Sequence, residues 1–175
     1  MGKRSTKWSY KTYLRFLRNG RGVGDLACYK PWITIHDFPS KGKVVRILGK
    51  KTNRIHHLLS QLEKTYFLIL DNDLFVEDIK EQFPLPLEST QMLAARLGIK
   101  HPSVNGFSYV MTTDFMVKRN GHWTAIQIKT AEDAERKGSK KSSPSKRPIM
   151  IQSGFPGAWS RKRTCHQSWR RIITG

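Results

Sequence analysis

The clearest pattern of apolar and polar positions lies between Tyr109 and Lys129, where two β-prone runs flank Asn120-Gly121. An Asn-Gly pair between such runs is the strongest short-range signal for a β-hairpin with a two-residue turn. Because side chains alternate across a strand, this turn predicts one largely apolar face. That face consists of Thr113, Phe115, Val117, Thr124, Ile126 and Ile128.

The opposite face of the predicted hairpin carries polar side chains. It consists of Thr112, Asp114, Met116, Ala125, Gln127 and Lys129. Counting back from the turn pairs Asp114 with Gln127, and directly opposed Cβ atoms lie about 4.5 to 5.5 Å apart. We therefore expect a carboxylate, an amide oxygen and the Lys129 ammonium group within the span of one metal ion and one phosphate. A β-bulge in either strand would shift this register.

Basic and aromatic side chains are interleaved through residues 1–30, a pattern typical of a segment that docks on the phosphate backbone of DNA. Within it, Tyr10, Leu14 and Leu17 recur at helical spacing. This spacing predicts a short amphipathic helix that packs on the domain, and both interpretations are compatible.

Three short strands are predicted before the hairpin. They cover residues 31–35, 43–48 and 74–79, with a turn at Pro39-Ser40-Lys41-Gly42 between the first two. Pro84 and Pro86 are expected to end regular structure after the third strand.

The longest helical pattern starts at Thr52 or Asn53, either of which can cap it. Its apolar stripe recurs at three- and four-residue steps and consists of Ile55, Leu58, Leu59, Leu62, Tyr66 and Ile69. Glu63 adjoins this stripe, where a glutamate is usually a solvated helix residue. The alternative is a third acidic metal ligand, because the helix is expected to pack against the sheet of the hairpin. A second helix is predicted over residues 89–97.

The order of helix, strand, helix and hairpin predicts an α+β domain with a mixed or antiparallel central sheet flanked by helices. The length of 175 residues fits one domain, or one domain with a tail.

The chain is strongly basic, with 32 Lys and Arg against 13 Asp and Glu and a net charge of +19. This excess favours a polyanionic partner, nucleic acid before a membrane. No apolar run approaches the roughly 18 residues of a membrane span. The two cysteines, Cys28 and Cys165, lie far apart and indicate neither a disulfide framework nor a CxxC zinc site, which fits a reducing, cytoplasmic setting.

An acid on one strand followed on its neighbour by Gln127-Ile128-Lys129 resembles the core of the PD-(D/E)xK nucleases. Taken alone, so short a pattern is better explained by a solvated hairpin face with an incidental acid and lysine.

Longer segments, in order from about residue 20 to 130, resemble the TnsA family, the endonuclease subunits of heteromeric cut-and-paste transposons. The segments are Gly20-Arg21-Gly22, Pro31-Trp32, residues 54–60 with Glu63, residues 78–85, residues 98–102, Met111 with Thr113-Asp114-Phe115, and Gln127 with Lys129.

This resemblance implies a restriction-endonuclease-like fold. It maps the catalytic acid, acid, glutamine and lysine of the family onto Glu63, Asp114, Gln127 and Lys129. The first three would hold Mg²⁺, for which Mn²⁺ can substitute, and Lys129 would position water or stabilise charge. The implied activity is hydrolysis of DNA at the 5′ ends of a transposon in the bacterial cytoplasm, with a TnsB-like recombinase and a TnsC-like ATPase as partners.

The resemblance stops after Lys129, where the family continues with a charged helix, another strand and a winged-helix domain. Residues 136–175 contain no Asp, Glu, Leu or Val. We therefore expect a catalytic domain over residues 1–136 and a basic tail over 137–175, without the winged-helix domain. The tail is interpreted either as a disordered DNA-binding segment or as the product of a frameshift near Arg136.

A tail of this kind would leave the nuclease core incomplete at its C-terminal end, so the chain is expected to be a truncated endonuclease, either active or inactive. The alternative is a non-catalytic basic module for DNA binding or transposase assembly. A ribosomal-type RNA binder also fits the charge but does not explain the ordered catalytic set.

Overall fold

The computed structural model of the chain describes residues 8–37, 44–130 and 148–154. The helices are α1 (Tyr10–Arg18), a short 3₁₀ helix (Leu26–Cys28), α2 (Gln61–Asn72) and α3 (Leu87–Arg96). The strands are β1 (Val45–Leu48), β2 (Ile55–Leu58), β3 (Val76–Pro84), β4 (Ser103–Val104), β5 (Phe107–Ser108), β6 (Thr112–Arg119), β7 (His122–Thr130) and β8 (Pro148–Gly154).

The main sheet has the strand order β3-β6-β7-β8, and every described pair in it is antiparallel. The pairs β1-β2 and β4-β5 form two smaller antiparallel sheets. The predicted α+β fold is confirmed, and the architecture is consistent with a restriction-endonuclease-like domain. Within the described residues, no helix is long and apolar enough to cross a membrane.

The central hairpin is confirmed in position, and its register is confirmed as far as Phe115 and Ile126, while the predicted pair of Asp114 with Gln127 is not part of the ladder. Asn120 and Gly121 form its turn with φ values of 47° and 77°, the left-handed conformation that a two-residue turn of this kind requires. From there the pairing runs to Phe115 opposite Ile126, as the count from the turn predicts.

The main core lies between α2 and one face of the sheet. Its buried members are Leu58, Phe67, Leu70, Val76, Ile79, Phe115, Val117 and Ile126. The apolar face of the hairpin thus packs against α2, as expected. This packing brings the N-terminal turn of α2 to the sheet, and Glu63 lies on that turn.

A second, aromatic core holds α1 against the segment that leads into β6. Its buried members are Trp8, Phe16, Trp32 and Val110, with Phe107 and Tyr109 packed against them. The predicted amphipathic helix is confirmed as α1, which Ser9 caps through a 3.2 Å hydrogen bond from the Thr12 N–H to its Oγ.

The predicted start of the long helix at Thr52 or Asn53 is wrong. The helix begins at Gln61, and the preceding residues form β2, which pairs with β1. The apolar spacing is misleading because Glu81 of β3 draws the polar side chains of Arg54 and His56 inward and fixes this segment as a strand.

The predicted strand over residues 31–35 is also wrong. Asp37 accepts hydrogen bonds from the N–H and hydroxyl of Thr34, and these local bonds make a turn. The predicted strand over residues 43–48 is confirmed as β1 from Val45 onward, while the predicted turn at 39–42 lies outside the described residues.

The strand predicted over residues 74–79 continues to Pro84 instead of ending at Ile79. Pro84 is tolerated because β3 lies at the edge of the described sheet. The second helix begins two residues before the predicted start, at Leu87, and Gly98 follows its end with a φ of 64°. The small hairpin of β4 and β5 was not predicted, although its turn, Asn105-Gly106, carries the same Asn-Gly signal.

One segment of the predicted tail is a strand in the structure. Residues 148–154 form β8, whose backbone pairs with β7 from Thr124 to Thr130. Residues 131–147 and 155–175, and with them the boundary near Arg136, lie outside the described residues, so the frameshift interpretation stays a prediction.

Candidate active site

Three of the four predicted site residues meet where the pairing of β6 with β7 stops. Beyond Phe115 and Ile126, side chains replace the backbone ladder, since the Thr113 hydroxyl donates to the Ile126 carbonyl at 2.9 Å. Asp114 Oδ2 accepts the Ile128 N–H at 2.6 Å. The main chain of β7 therefore fixes the position of the Asp114 carboxylate.

Gln127 and Lys129 act on the same carboxylate. Gln127 and Lys129 both lower the pKa of Asp114, Gln127 through its polar side chain and Lys129 through its positive charge. The predicted grouping of these three side chains is thus present in the structure.

Glu63 joins the cluster from the first turn of α2. It is 7% exposed, in contrast to the solvated glutamate that its sequence position usually implies. Ser60 caps α2 and contacts Glu63 in both directions: the Glu63 N–H donates to Ser60 Oγ at 3.1 Å, and that hydroxyl donates to Glu63 Oε1 at 3.0 Å. The other oxygen, Oε2, accepts the Leu59 N–H at 2.9 Å.

The two carboxylates influence each other. Burial raises the pKa of Glu63, and the negative charge of Asp114 raises it further, against the hydrogen bonds from Leu59, Ser60 and Gln82. Burial also raises the pKa of Asp114, while the Ile128 N–H, Gln127 and Lys129 oppose that shift. Two desolvated carboxylates that repel each other are an arrangement that a bound cation would stabilise.

The donor set of the cluster fits a hard divalent cation. Glu63, Asp114 and Gln127 offer carboxylate and amide oxygens, the ligands that Mg²⁺ prefers, and a two-carboxylate site leaves coordination positions for water and phosphate. In the described part of the chain, no group of three or more His, Cys, Asp or Glu side chains is arranged to hold a metal ion, and the cluster itself contributes two acids, Glu63 and Asp114.

A buried ion network lies beside the cluster and was not predicted. Glu81 is fully buried and binds the Arg54 guanidinium through both oxygens at 2.8 and 2.6 Å. It also binds His56 Nδ1 at 2.7 Å, and Thr52 hydrogen-bonds the other ring nitrogen at 2.7 Å. The network fixes β2 on β3, and β2 leads directly into the capped turn that carries Glu63.

Gln82 is a second residue that the sequence did not single out. It is 4% exposed, has a φ of 48° within β3, and donates from Nε2 to Glu63 Oε2 at 3.4 Å. The only indication of Gln82 in the sequence is that it lies in the segment 78–85, which resembles the family. Its left-handed conformation could not be predicted, because the sequence has no glycine at that position of the strand.

The exposed side of α1 is basic. Lys11, Arg15 and Arg18 lie at positions i, i+4 and i+7 of the helix, so they share one face, and all three are exposed. Among the described residues, none of the three forms an ion pair with an acid. We call these residues the α1 ridge.

Comparison with known proteins identifies the family of the chain. The profile of the family described as TnsA-like endonuclease N terminal matches residues 73–165, more than half of the chain and past the tail boundary predicted at residue 136. The chain is also 43% identical over 134 residues to the Transposon Tn7 transposition protein TnsA of Escherichia coli. That alignment covers 75% of this chain and 49% of the relative, so the chain spans about half the length of the relative. The chain belongs to the TnsA-like endonuclease N-terminal family.

Proposed function

We propose that this chain is a metal-dependent DNA endonuclease subunit of a heteromeric transposase. The observation that carries the proposal is a pair of carboxylates, buried Glu63 and half-buried Asp114, in which the charge of Asp114 raises the pKa of Glu63, with Gln127 and Lys129 beside Asp114. An isolated acid on a solvated hairpin would have neither a raised pKa nor an amide and a lysine directed at it.

Glu63, Asp114 and Gln127 would hold one or two Mg²⁺ ions, for which Mn²⁺ can substitute. Bound there, Mg²⁺ would lower the pKa of an attacking water and neutralise charge on the phosphate and the leaving oxygen. The protein holds the oxygens that would bind the metal in place. The Ile128 N–H holds the Asp114 carboxylate, and the Ser60 hydroxyl holds the Glu63 carboxylate.

Lys129 has a different part in the proposed reaction. Its ammonium group lies near Asp114 and can approach a phosphate bound between them. A positive charge there would orient the attacking water or stabilise negative charge that develops on the phosphate oxygens. Lys129 therefore acts on the substrate, whereas Gln127 acts on the metal and on Asp114.

DNA is the substrate that the charge of the chain favours. The net charge of +19 attracts the phosphate backbone without regard to sequence, and the α1 ridge offers three exposed cations on one helical face. The relative is named as a transposition protein, which supports a role in transposition, and we propose further that the cut falls at the 5′ ends of a transposon. A TnsB-like recombinase and a TnsC-like ATPase would then be partners of this chain in the bacterial cytoplasm.

The experiment is DNA nicking by the purified chain, together with the recombinase and ATPase of its own element. A plasmid that carries the element's ends is incubated with Mg²⁺ or Mn²⁺ and with excess chelator as the control. The proposal expects metal-dependent nicks that map to the 5′ ends and disappear in Asp114→Ala. A folded chain that binds DNA equally with and without metal and never nicks it would support the non-catalytic module instead.

A further inference from the structure

The strand β3 departs from regular structure at the residue that faces Asp114. Glu81 pairs with Phe115 and Phe83 pairs with Thr113, so the register places Gln82 opposite Asp114. That one pair is absent from the ladder, and Gln82 has a φ of 48°. The register is the same on both sides, so no residue is inserted and only the conformation of Gln82 is unusual.

Such a conformation is costly for any residue except glycine. A non-glycine residue in the left-handed region is strained by about 1 to 2 kcal/mol, and such strain persists only where the surroundings hold it. Glycine would adopt the same φ without strain. The backbone conformation alone therefore does not account for a glutamine at this position, whereas its amide group does.

Both ends of the Gln82 amide are engaged. Nε2 donates to Glu63 Oε2 at 3.4 Å, and Oε1 accepts the Thr112 hydroxyl at 3.3 Å. The ionised Glu63 carboxylate fixes which end of the amide faces it, because a carboxylate only accepts and the amide nitrogen must donate, which leaves Oε1 to accept from the Thr112 hydroxyl. The amide thus links the N-terminal turn of α2 to β6, two residues from Asp114.

The main chain of Gln82 is held from the other side. Its carbonyl accepts the Trp32 N–H at 3.2 Å, and Trp32 belongs to the aromatic core that anchors α1. An amide donor is also neutral, so it satisfies an oxygen of Glu63 without cancelling the negative charge that a cation would need.

We propose that Gln82 is a positioning residue that holds the Glu63 carboxylate toward Asp114, so that the two can share one divalent cation. This inference rests on the proposed function, since it concerns the same metal site. Gln82 itself touches neither the metal nor DNA, and its effect runs through Glu63.

The test compares Gln82→Met, which keeps the length of the side chain but has no donor, with Gln82→Gly, which removes both the donor and the strain. Binding of Mn²⁺ is measured by the electron paramagnetic resonance signal of the free ion, without DNA or turnover. Nicking is then measured against Mg²⁺ concentration, and thermal unfolding against temperature. Gln91→Met is the control, because Gln91 is an exposed glutamine on α3.

Removing a residue that orients a metal ligand lowers metal affinity by roughly 10- to 100-fold. Both Gln82 variants should therefore need at least about tenfold more Mn²⁺ for binding and more Mg²⁺ for half-maximal nicking. Gln82→Gly should need more metal even if it unfolds at the same or a higher temperature than the parent chain. A purely structural role for Gln82 would not predict weaker metal binding in a variant of equal stability. The control should match the parent chain.

The outcomes separate the two proposals. If the parent chain binds Mn²⁺ and nicks DNA, and the Gln82 variants do so with unchanged metal dependence, the role of Gln82 is wrong and the proposed function stands. If the parent chain neither binds Mn²⁺ nor nicks, the proposed function fails and the role of Gln82 fails with it. If Gln82→Met does not fold, Gln82→Gly alone decides, because glycine fits the observed backbone.

Discussion

Asp114 accepts the backbone N–H of Ile128 at 2.6 Å, so a carboxylate on one strand is held by the main chain of the next strand. The same strand carries Gln127 and Lys129 on either side of Ile128. Three functional groups are thereby fixed by a single interruption of the β6-β7 ladder, and their arrangement depends on backbone geometry more than on flexible side chains.

Replacing Asp114 by Asn should lower nicking activity without lowering stability. The amide removes a charge that the folded state disfavours, since burial raises the pKa of Asp114. Such a carboxyl group contributes stability that is present below its unfolded pKa and is lost as the pH rises through its folded pKa. At pH 7 without metal, Asp114→Asn should therefore unfold at an equal or higher temperature.

The same variant should lose about a hundredfold or more in metal-dependent nicking, because one anionic ligand is gone. Glu88→Gln is the matched control, since Glu88 is an exposed acid on α3 and its replacement should change neither property. An Asp114→Asn chain that nicks at the parent rate would show that the cluster is not the active site.

The Ser60 hydroxyl should matter for both the helix and the site. Ser60→Ala removes the N-cap of α2, which typically costs about 1 kcal/mol, and also the hydroxyl that donates to Glu63. We expect a lower free energy of unfolding in urea and weaker Mn²⁺ binding. Ser60→Thr keeps the hydroxyl and should restore both; a Thr variant as impaired as the Ala variant would contradict the capping explanation.

Much of this arrangement could be predicted from the sequence because it depends on local signals. Asn120-Gly121 fixes the hairpin turn, and period-two alternation then determines which side chains share a face. The acid, amide and lysine of the site follow from that register. The α1 helix could also be predicted from the sequence. The helical spacing of its apolar residues agrees with the way it packs in the aromatic core.

The failures occur where tertiary contacts override local pattern. Apolar residues from Ile55 to Leu59 have helical spacing, but Glu81, distant in sequence, binds Arg54 and the N–H of His57 and holds this segment as a strand. The left-handed conformation of Gln82 is likewise imposed by partners on three different elements. No window of the sequence contains those contacts, so neither feature could be predicted from periodicity.

Glu81→Gln should be strongly destabilising. The neutral amide would leave the buried Arg54 guanidinium without its counter-charge, and breaking a buried ion pair in this way costs roughly 3 to 5 kcal/mol. The urea midpoint should fall accordingly. Glu77→Gln on the surface breaks the exposed ion pair with Lys118 and serves as the control, for which we expect a much smaller change.

Glu81 should make the free energy of unfolding depend on pH in the acid range. Despite complete burial, the hydrogen bonds and charges of His56 and Arg54 lower the pKa of Glu81 from 4.5 to about 2. A carboxyl group with a lowered pKa contributes stability that is present above its unfolded pKa and is lost as the pH falls through the folded value. The parent chain should therefore lose stability between about pH 4.5 and 2 more steeply than Glu81→Gln does in urea titrations at each pH.

The α1 ridge should contribute to DNA affinity through phosphate contacts. Each cation that neutralises a phosphate of duplex DNA adds about 0.9 to the slope of log affinity against log salt. Replacing Lys11, Arg15 and Arg18 together by Gln should reduce that slope by two to three, about one for each cation. The control replaces Arg46, Arg96 and Lys100, three exposed cations elsewhere, and removes the same net charge.

If the salt slope falls equally in both triple variants, the effect is one of net charge and the ridge is not a docking surface. A loss confined to the ridge variant would show that α1 lies along the DNA, and nicking of DNA already bound at low salt should then proceed at the parent rate.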